Sequence, residues 1–131
     1  DCTVIESAGF KIGDFSVKPV TSPHESSLKS VPENTAYIVN DMFMHPGDSI
    51  NKNLYSFKVK ILALPIFAGW AKLPEFAEFA KNIKPETVIP IHDGIAISDF
   101  MESHYKTWTE YLKEVGINFV SLRKPEEFLE I

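Results

Sequence analysis

Three residues of metal-binding types each follow an apolar stretch of the sequence. His24, Asp48 and His92 come shortly after the stretches 15–21, 37–44 and 88–91. Imidazole nitrogens and carboxylate oxygens suit zinc, and also iron or manganese, whereas the lack of thiolates disfavours a closed structural zinc site. The end of a strand is where a sheet can gather polar groups at one edge. The three residues therefore predict a shared metal site.

Three further polar residues next to these candidates carry two interpretations each. His45 precedes Asp48 by three residues and is predicted either to orient its carboxylate or to end a half-buried strand. Ser49 steadies Asp48 or caps the loop that follows, and we favour the cap. Asp93 is a candidate to hydrogen-bond a ligand imidazole or a substrate group, or else it is a turn residue before Gly94.

The large aromatic residues divide into pocket and core candidates. Phe67 and Trp70 follow a buried-looking strand beside the predicted metal edge, so we expect them to line a pocket. Trp108 belongs to the apolar stripe of a predicted helix and is expected in the core. His104 falls on the polar flank of that helix, where a solvated side chain is expected.

Length and composition describe one globular domain. The chain has 131 residues, 44% of them hydrophobic, and a formal net charge of −5. The acidic balance disfavours nucleic acid and anionic membrane surfaces as partners. The single cysteine, Cys2, has no partner for an intrachain disulfide, so we expect a reducing, cytoplasmic setting. The sequence begins with Asp1 rather than methionine, which is expected of a fragment.

The elements that must position the candidates follow from hydrophobic periodicity. Alternation predicts strands in 1–6 and 10–21, and then a strand pair, 36–39 and 42–44, joined by a turn at Asn40-Asp41. Apolar runs predict further strands at 59–67, 87–91 and 118–122, which alternate with helices at about 74–83 and 98–115. The fold class is therefore α/β (α+β), a mixed sheet with flanking helices.

Four segments in this order resemble a known family. They are VTSPH at 20–24, MHPGDS at 44–49, ILALPIF at 61–67 and TVIPIHDG at 87–94. Their order and separations resemble the C-terminal half of the metallo-β-lactamase superfamily, closest to its metal-dependent hydrolase and lactonase-like branch. The resemblance covers essentially the whole chain.

The resemblance implies an αββα sandwich and a hydrolase with two divalent ions. Zinc is the expected metal, with iron or manganese as alternatives. His24 would be a ligand of one ion and His92 of the other, and Asp48 would bridge both as the catalytic carboxylate. A metal-bound hydroxide would attack a small-molecule ester, lactone or phosphoester.

One motif of the family is missing, because His-x-His-x-Asp-His occurs nowhere in the sequence. The resemblance therefore implies that residues 1–131 are a single domain, the C-terminal half of a longer hydrolase, and incomplete alone. We expect a partner for its open sheet face, either the missing N-terminal half or a second copy of this chain. The alternative is a non-catalytic α/β structural or binding module, a degenerate relative in which the three residues are only polar loop ends.

Overall fold

A computed structural model describes residues 8–25, 30–94, 97–124 and 126–130. The predicted strand at 1–6 lies outside these ranges. The elements in chain order are the strands and α-helices β1 (Phe10–Ile12), β2 (Phe15–Thr21), β3 (Thr35–Val39), β4 (Phe43–His45), β5 (Ile61–Pro65), α1 (Leu73–Ile83), β6 (Thr87–Ile91), α2 (Ser98–Glu114) and β7 (Asn118–Phe119), with a 3₁₀ turn at Lys52–Ser56 before β5. Within the described ranges, neither helix is long and apolar enough to cross a membrane.

The strands form one mixed sheet whose spatial order equals their order in the sequence. β1 to β4 pair antiparallel through hairpins, and β4 to β7 pair parallel. Three residues, Asn40 to Met42, connect β3 to β4. Asn40 and Asp41 have φ angles of 52° and 53°, the left-handed pair of a tight turn that the Met42 N–H closes on the Val39 carbonyl oxygen at 2.9 Å. The predicted mixed sheet with flanking helices is confirmed.

One face of the sheet forms the core with both helices. In α1 the apolar residues recur at helical spacing, and Phe76, Phe79 and Ile83 are fully or almost fully buried. Trp108 of α2 is also fully buried, as predicted. The sheet residues that pack with these helices are Ala36, Ile38, Met44, Leu62, Leu64 and Val88.

The opposite face of the sheet is apolar too, but it lies outside this helix-covered core. The strand register places Val17, Val39, Phe43 and Ile61 in one row across β2 to β5. Near the end of this face, Phe15 is 57% exposed. Val17, Val39 and Phe43 are half-buried, and a contiguous apolar face of this kind is uncommon on a monomer and often marks an interaction surface.

The side-chain amide of Asn34 ties together two loops that leave the sheet. Its Nδ2 donates to the carbonyl oxygens of Ser22 and Pro46, both at 2.9 Å, and its Oδ1 accepts the Asp48 N–H at 3.0 Å. Gly47 lies against this amide with a φ angle of 64°, and a Cβ there would overlap Asn34 Oδ1. The loop before Asp48 can therefore follow its path only with glycine at position 47.

A second link between the same loops is a pair of fully buried serines. The hydroxyls of Ser22 and Ser49 are 2.8 Å apart, and Ser22 Oγ donates to Asn53 Oδ1 at 3.1 Å. Ser49 Oγ also accepts the Asn51 N–H at 3.2 Å. Each buried hydroxyl therefore has partners, as a desolvated polar group requires.

Replacing Asn34 with alanine is expected to lower the free energy of unfolding by about 2 kcal/mol, because one N–H and two carbonyl oxygens lose their partner in a partly buried loop. Urea unfolding of the two proteins measures the difference. Asn82→Ala is the control, since among the described residues the Asn82 amide donates to Glu78 alone, on the surface of α1, and its cost should stay within about 0.5 kcal/mol. Equal costs for the two substitutions would contradict the role of Asn34.

Candidate metal centre

The three predicted ligands lie together at one edge of the sheet. His24 follows β2, Asp48 follows β4 and His92 follows β6. The Nε2 atom of His24 is 3.6 Å from Asp48 Oδ2, and the Nε2 atom of His92 is 3.4 Å from Asp48 Oδ1. The side chain of Asp48 is 42% exposed. Each imidazole thus faces a different oxygen of one accessible carboxylate.

Main-chain carbonyl groups fix the orientation of both imidazoles. Nδ1 of His24 is 2.6 Å from the carbonyl oxygen of Glu25, and Nδ1 of His92 is 2.8 Å from that of Phe67. A carbonyl oxygen only accepts hydrogen bonds, so Nδ1 carries the hydrogen in each ring. In the neutral rings, both Nε2 lone pairs then face the Asp48 carboxylate. This arrangement is favourable only when a proton on Nε2 or a metal ion lies between the nitrogen and the oxygen.

The donor set fits divalent ions in type and in spacing. Zinc lies about 2.1 Å from nitrogen and from oxygen ligands, so two ligands of a tetrahedral ion are separated by about 3.4 Å. Both Nε2–Oδ separations are close to this value. Within the described residues, no group of three His, Cys, Asp or Glu side chains could hold an ion. The described residues therefore provide two imidazole–carboxylate pairs at ligand spacing but no complete ligand set.

His45 and Ser49 stabilise the loop around Asp48 without contacting its carboxylate. Nδ1 of His45 accepts the N–H of Gly47 at 3.1 Å, and the imidazole is exposed. Ser49 is buried against Ser22, and its oxygen caps the N–H of Asn51. These contacts support the conformation of the loop, as the cap interpretation of Ser49 predicts.

Trp70 lies between the two histidines. The centroid of its ring system is 5.5 Å from that of His24 and 6.2 Å from that of His92, both in edge-to-face geometry, and it also packs on Phe76. The indole Nε1 is buried and has no hydrogen-bond partner among the described residues. A buried donor without a partner costs about 1–3 kcal/mol, so the indole supplies an unused hydrogen-bond donor beside the imidazoles.

Phe67 contributes its carbonyl group to His92 and its ring to an aromatic surface. The ring is in edge-to-face contact with Phe100 and with His104, and Phe100 is 45% exposed. Nε2 of His104 is 2.8 Å from the carbonyl oxygen of Ile66 and 3.0 Å from the indole nitrogen of Trp108. The expectation of a solvated His104 is wrong, because the ring packs between α2 and the end of β5.

Asp93 is held by a tyrosine of α2. The hydroxyl of Tyr105 donates a short hydrogen bond to Asp93 Oδ2. Burial, followed by this hydrogen bond and by the charge of Asp93, raises the pKa of Tyr105 to about 12. The phenol therefore remains a protonated donor at neutral pH. Asp93 is more than a turn residue, because its carboxylate anchors the loop after β6 to the helix.

A cavity of about 480 Å³ opens beside the loops that carry His24 and Asp48. Its described lining includes Glu25, Ile50, Tyr55, Glu75 and Glu78, with Lys52 as the one cation among the residues that the structure describes there. The Asp48 carbonyl oxygen accepts the Glu25 N–H at 3.3 Å, which joins the cavity to the candidate centre. Burial and then the nearby charges of Glu78 and Glu25 raise the pKa of Tyr55. This cavity therefore disfavours anionic ligands.

No family model matches the chain. Protein Rv0786c of Mycobacterium tuberculosis is 29% identical to it over 106 residues, which are 76% of this chain and 49% of that protein. The chain thus spans about half the length of the curated relative that it matches.

Solved structures share the fold. A protein of Parabacteroides distasonis named as a metal-dependent hydrolase has a TM-score of 0.64 at 16% identity, over 88% of this chain and 55% of that one. Igni18, a metallo hydrolase of Ignicoccus hospitalis, has a TM-score of 0.63 at 15% identity, over 93% of this chain and 57% of that one. The metallo-β-lactamase fold protein YhfI of Bacillus subtilis has a TM-score of 0.56 at 14% identity, over 92% of this chain and 50% of that one. The chain therefore has the metallo-β-lactamase fold of these proteins, over about half the length of each.

Proposed function

We propose that this chain is the C-terminal half of a metal-dependent hydrolase in which Asp48 bridges two divalent ions, His24 binds one of them and His92 binds the other. The observation that carries the proposal is the position of the two Nε2 atoms, each facing its own Asp48 oxygen at 3.6 Å and 3.4 Å. With neutral imidazoles, the two lone pairs and the carboxylate would repel one another at this edge unless metal ions lay between them.

Two divalent ions, with zinc as the first candidate, would supply a water of lowered pKa as the nucleophile and would stabilise negative charge that develops on the substrate. The residues of this chain would bind these ions and orient the imidazole ligands. The carbonyl groups of Glu25 and Phe67 keep both imidazoles in the Nδ1–H tautomer. Trp70 packs on both rings and limits the entry of water between them.

The remaining ligands would come from a His-x-His-x-Asp-His segment in an N-terminal half. Support for this division comes from the ligand count, since the described residues offer two ligands to each position. Similarity to two solved structures of metal-dependent hydrolases also supports the division, since this chain covers 55% of one and 57% of the other. The open sheet face with Val17, Val39 and Phe43 is the surface on which that half would pack.

The substrate class that we favour is an uncharged ester or lactone, ahead of a phosphoester. Among its described lining residues, the cavity beside the candidate metal edge has three glutamates against one lysine, and the chain as a whole has a formal charge of −5. Both features repel a phosphate group. The half-exposed ring of Phe100 next to Phe67 suits an apolar acyl group.

In the full-length protein, wild type is expected to bind about two zinc ions per chain, and His24→Ala or His92→Ala about one, because each imidazole belongs to a different position. Asp48→Ala is expected to lower both occupancies and to reduce kcat/KM for lactones by at least about a hundredfold. Metal analysis after dialysis and steady-state hydrolysis measure these effects.

His45→Ala is the matched control, because His45 lies three residues from Asp48 but contacts Gly47 instead. This variant should keep both ions. A full-length protein without transition metal, or equal losses in His45→Ala and His24→Ala, would contradict the proposal. The non-catalytic module would then be the better interpretation.

The packing proposal predicts that the isolated 131-residue chain self-associates and that added N-terminal half converts it into a complex of one copy of each. Phe15→Asp should weaken this complex at least about tenfold, because it buries a charge in an apolar interface. Phe128→Asp is the control, since Phe128 is 76% exposed in the C-terminal tail. Light scattering and titration calorimetry measure both effects, and an isolated chain that stays monomeric without binding the N-terminal half would refute the packing.

A further inference from the structure

His92 has an unusual backbone for a residue with a bulky side chain. Its φ angle is 63°, in the left-handed region that glycine occupies without cost. The residue lies directly after β6, where the chain leaves the sheet. A conformation of this kind persists only where the surroundings hold it in place, and such positions concentrate at functional sites. Something adjacent must therefore fix the turn at His92 and Asp93.

The contact that does so comes from α2. The Tyr105 hydroxyl donates to Asp93 Oδ2, one residue after the strained position. The phenol ring is itself braced, since the ring of Phe119 lies 5.9 Å away and the Arg123 guanidinium lies 5.3 Å from the ring centroid. Arg123 in turn forms an ion pair with Glu102, which lies on α2 with Tyr105. The donor to Asp93 is therefore supported on both sides.

We infer that Tyr105 is a positioning residue for His92, because its hydroxyl, through the Asp93 carboxylate, holds the left-handed turn that directs the His92 imidazole toward Asp48. This inference rests on the proposed function, since it concerns one ligand of the proposed centre. The Phe67 carbonyl group fixes the rotation of the imidazole at Nδ1, and Tyr105 fixes the backbone from which the imidazole extends.

The raised pKa of Tyr105, caused first by burial and then by the hydrogen bond to Asp93, also predicts a dependence of stability on alkaline pH. The pKa of Tyr105 is raised from 10.0 in the unfolded chain to about 12 in the fold. The folded state therefore keeps a proton that the unfolded state loses, and wild type should lose stability relative to Tyr105→Phe as the pH rises from 10 to about 12. Asp93, Arg123 and Glu102 are the charged groups that face the phenol. Denaturant unfolding of both proteins across this range tests the sign.

The deciding experiment compares Tyr105→Phe with Tyr111→Phe in the full-length protein. Tyr111 lies on the same helix, is partly buried and packs on Trp108, so the control removes a hydroxyl far from Asp93. Tyr105→Phe should weaken one of the two zinc ions about 10- to 100-fold in a chelator competition, as loss of a supporting hydrogen bond does, and leave the other unchanged. Asp93→Asn should restore most of the affinity lost in Asp93→Ala, because an amide oxygen also accepts the phenol hydrogen.

A readout without metal separates the inference from the proposed function. In the metal-free protein, amide hydrogen exchange at residues 92–94 should be at least about tenfold faster in Tyr105→Phe than in wild type or Tyr111→Phe. Unchanged exchange there, or two zinc ions held as tightly as in the control, would overturn the role of Tyr105. Faster exchange in a protein that binds no metal would instead reject the metal centre and leave Tyr105 as the residue that orders His92.

Discussion

The distance between His24 and Asp48 depends on the Asn34 amide, because this one group bonds to both loops that carry them. The amide acts both as donor and as acceptor. Its NH₂ group donates to carbonyl oxygens of both loops, and its oxygen accepts the N–H of Asp48. The hydrogen bond between the buried hydroxyls of Ser22 and Ser49 is a second link between the same two loops. The loops that follow β2 and β4, which run in the same direction on either side of β3, are thus held as one unit, and the accessible carboxylate is presented from a rigid base.

The third candidate ligand, His92, reaches Asp48 from a different part of the sheet. His92 belongs to the parallel half of the sheet, where β5 and β6 pair over five residues and place the Phe67 carbonyl group near the imidazole. Trp70 fills the space between this half and the antiparallel half by packing on both histidines. The candidate centre therefore lies where the two pairing modes of the sheet meet, and each mode contributes one imidazole to the same carboxylate.

Most of the fold could be predicted from the sequence, since hydrophobic periodicity and turn residues are local signals. The Asn40-Asp41 hairpin and both helices are examples, and the grouping of His24, Asp48 and His92 followed from their places at strand ends. Asn34 could not be found in this way. It lies in a polar loop, and its partners are 12 and 14 residues distant, so only the assembled sheet reveals them. Tyr105 was equally hidden, because its spacing in α2 indicates a core residue and says nothing about its hydroxyl. His104 was mispredicted because helical spacing does not reveal its contact with the Ile66 carbonyl oxygen, which spans 38 residues of sequence.

Both imidazoles take their tautomer from main-chain carbonyl oxygens, those of Glu25 and Phe67. Many ligand histidines rely on a carboxylate side chain for this purpose, and a single substitution then removes the support. Here the supporting atoms are present whatever side chains occupy positions 25 and 67. The tautomer therefore does not depend on the Glu25 carboxylate or the Phe67 ring, and the surroundings of the candidate metal edge can be retuned in evolution or by design while the lone pairs keep their direction.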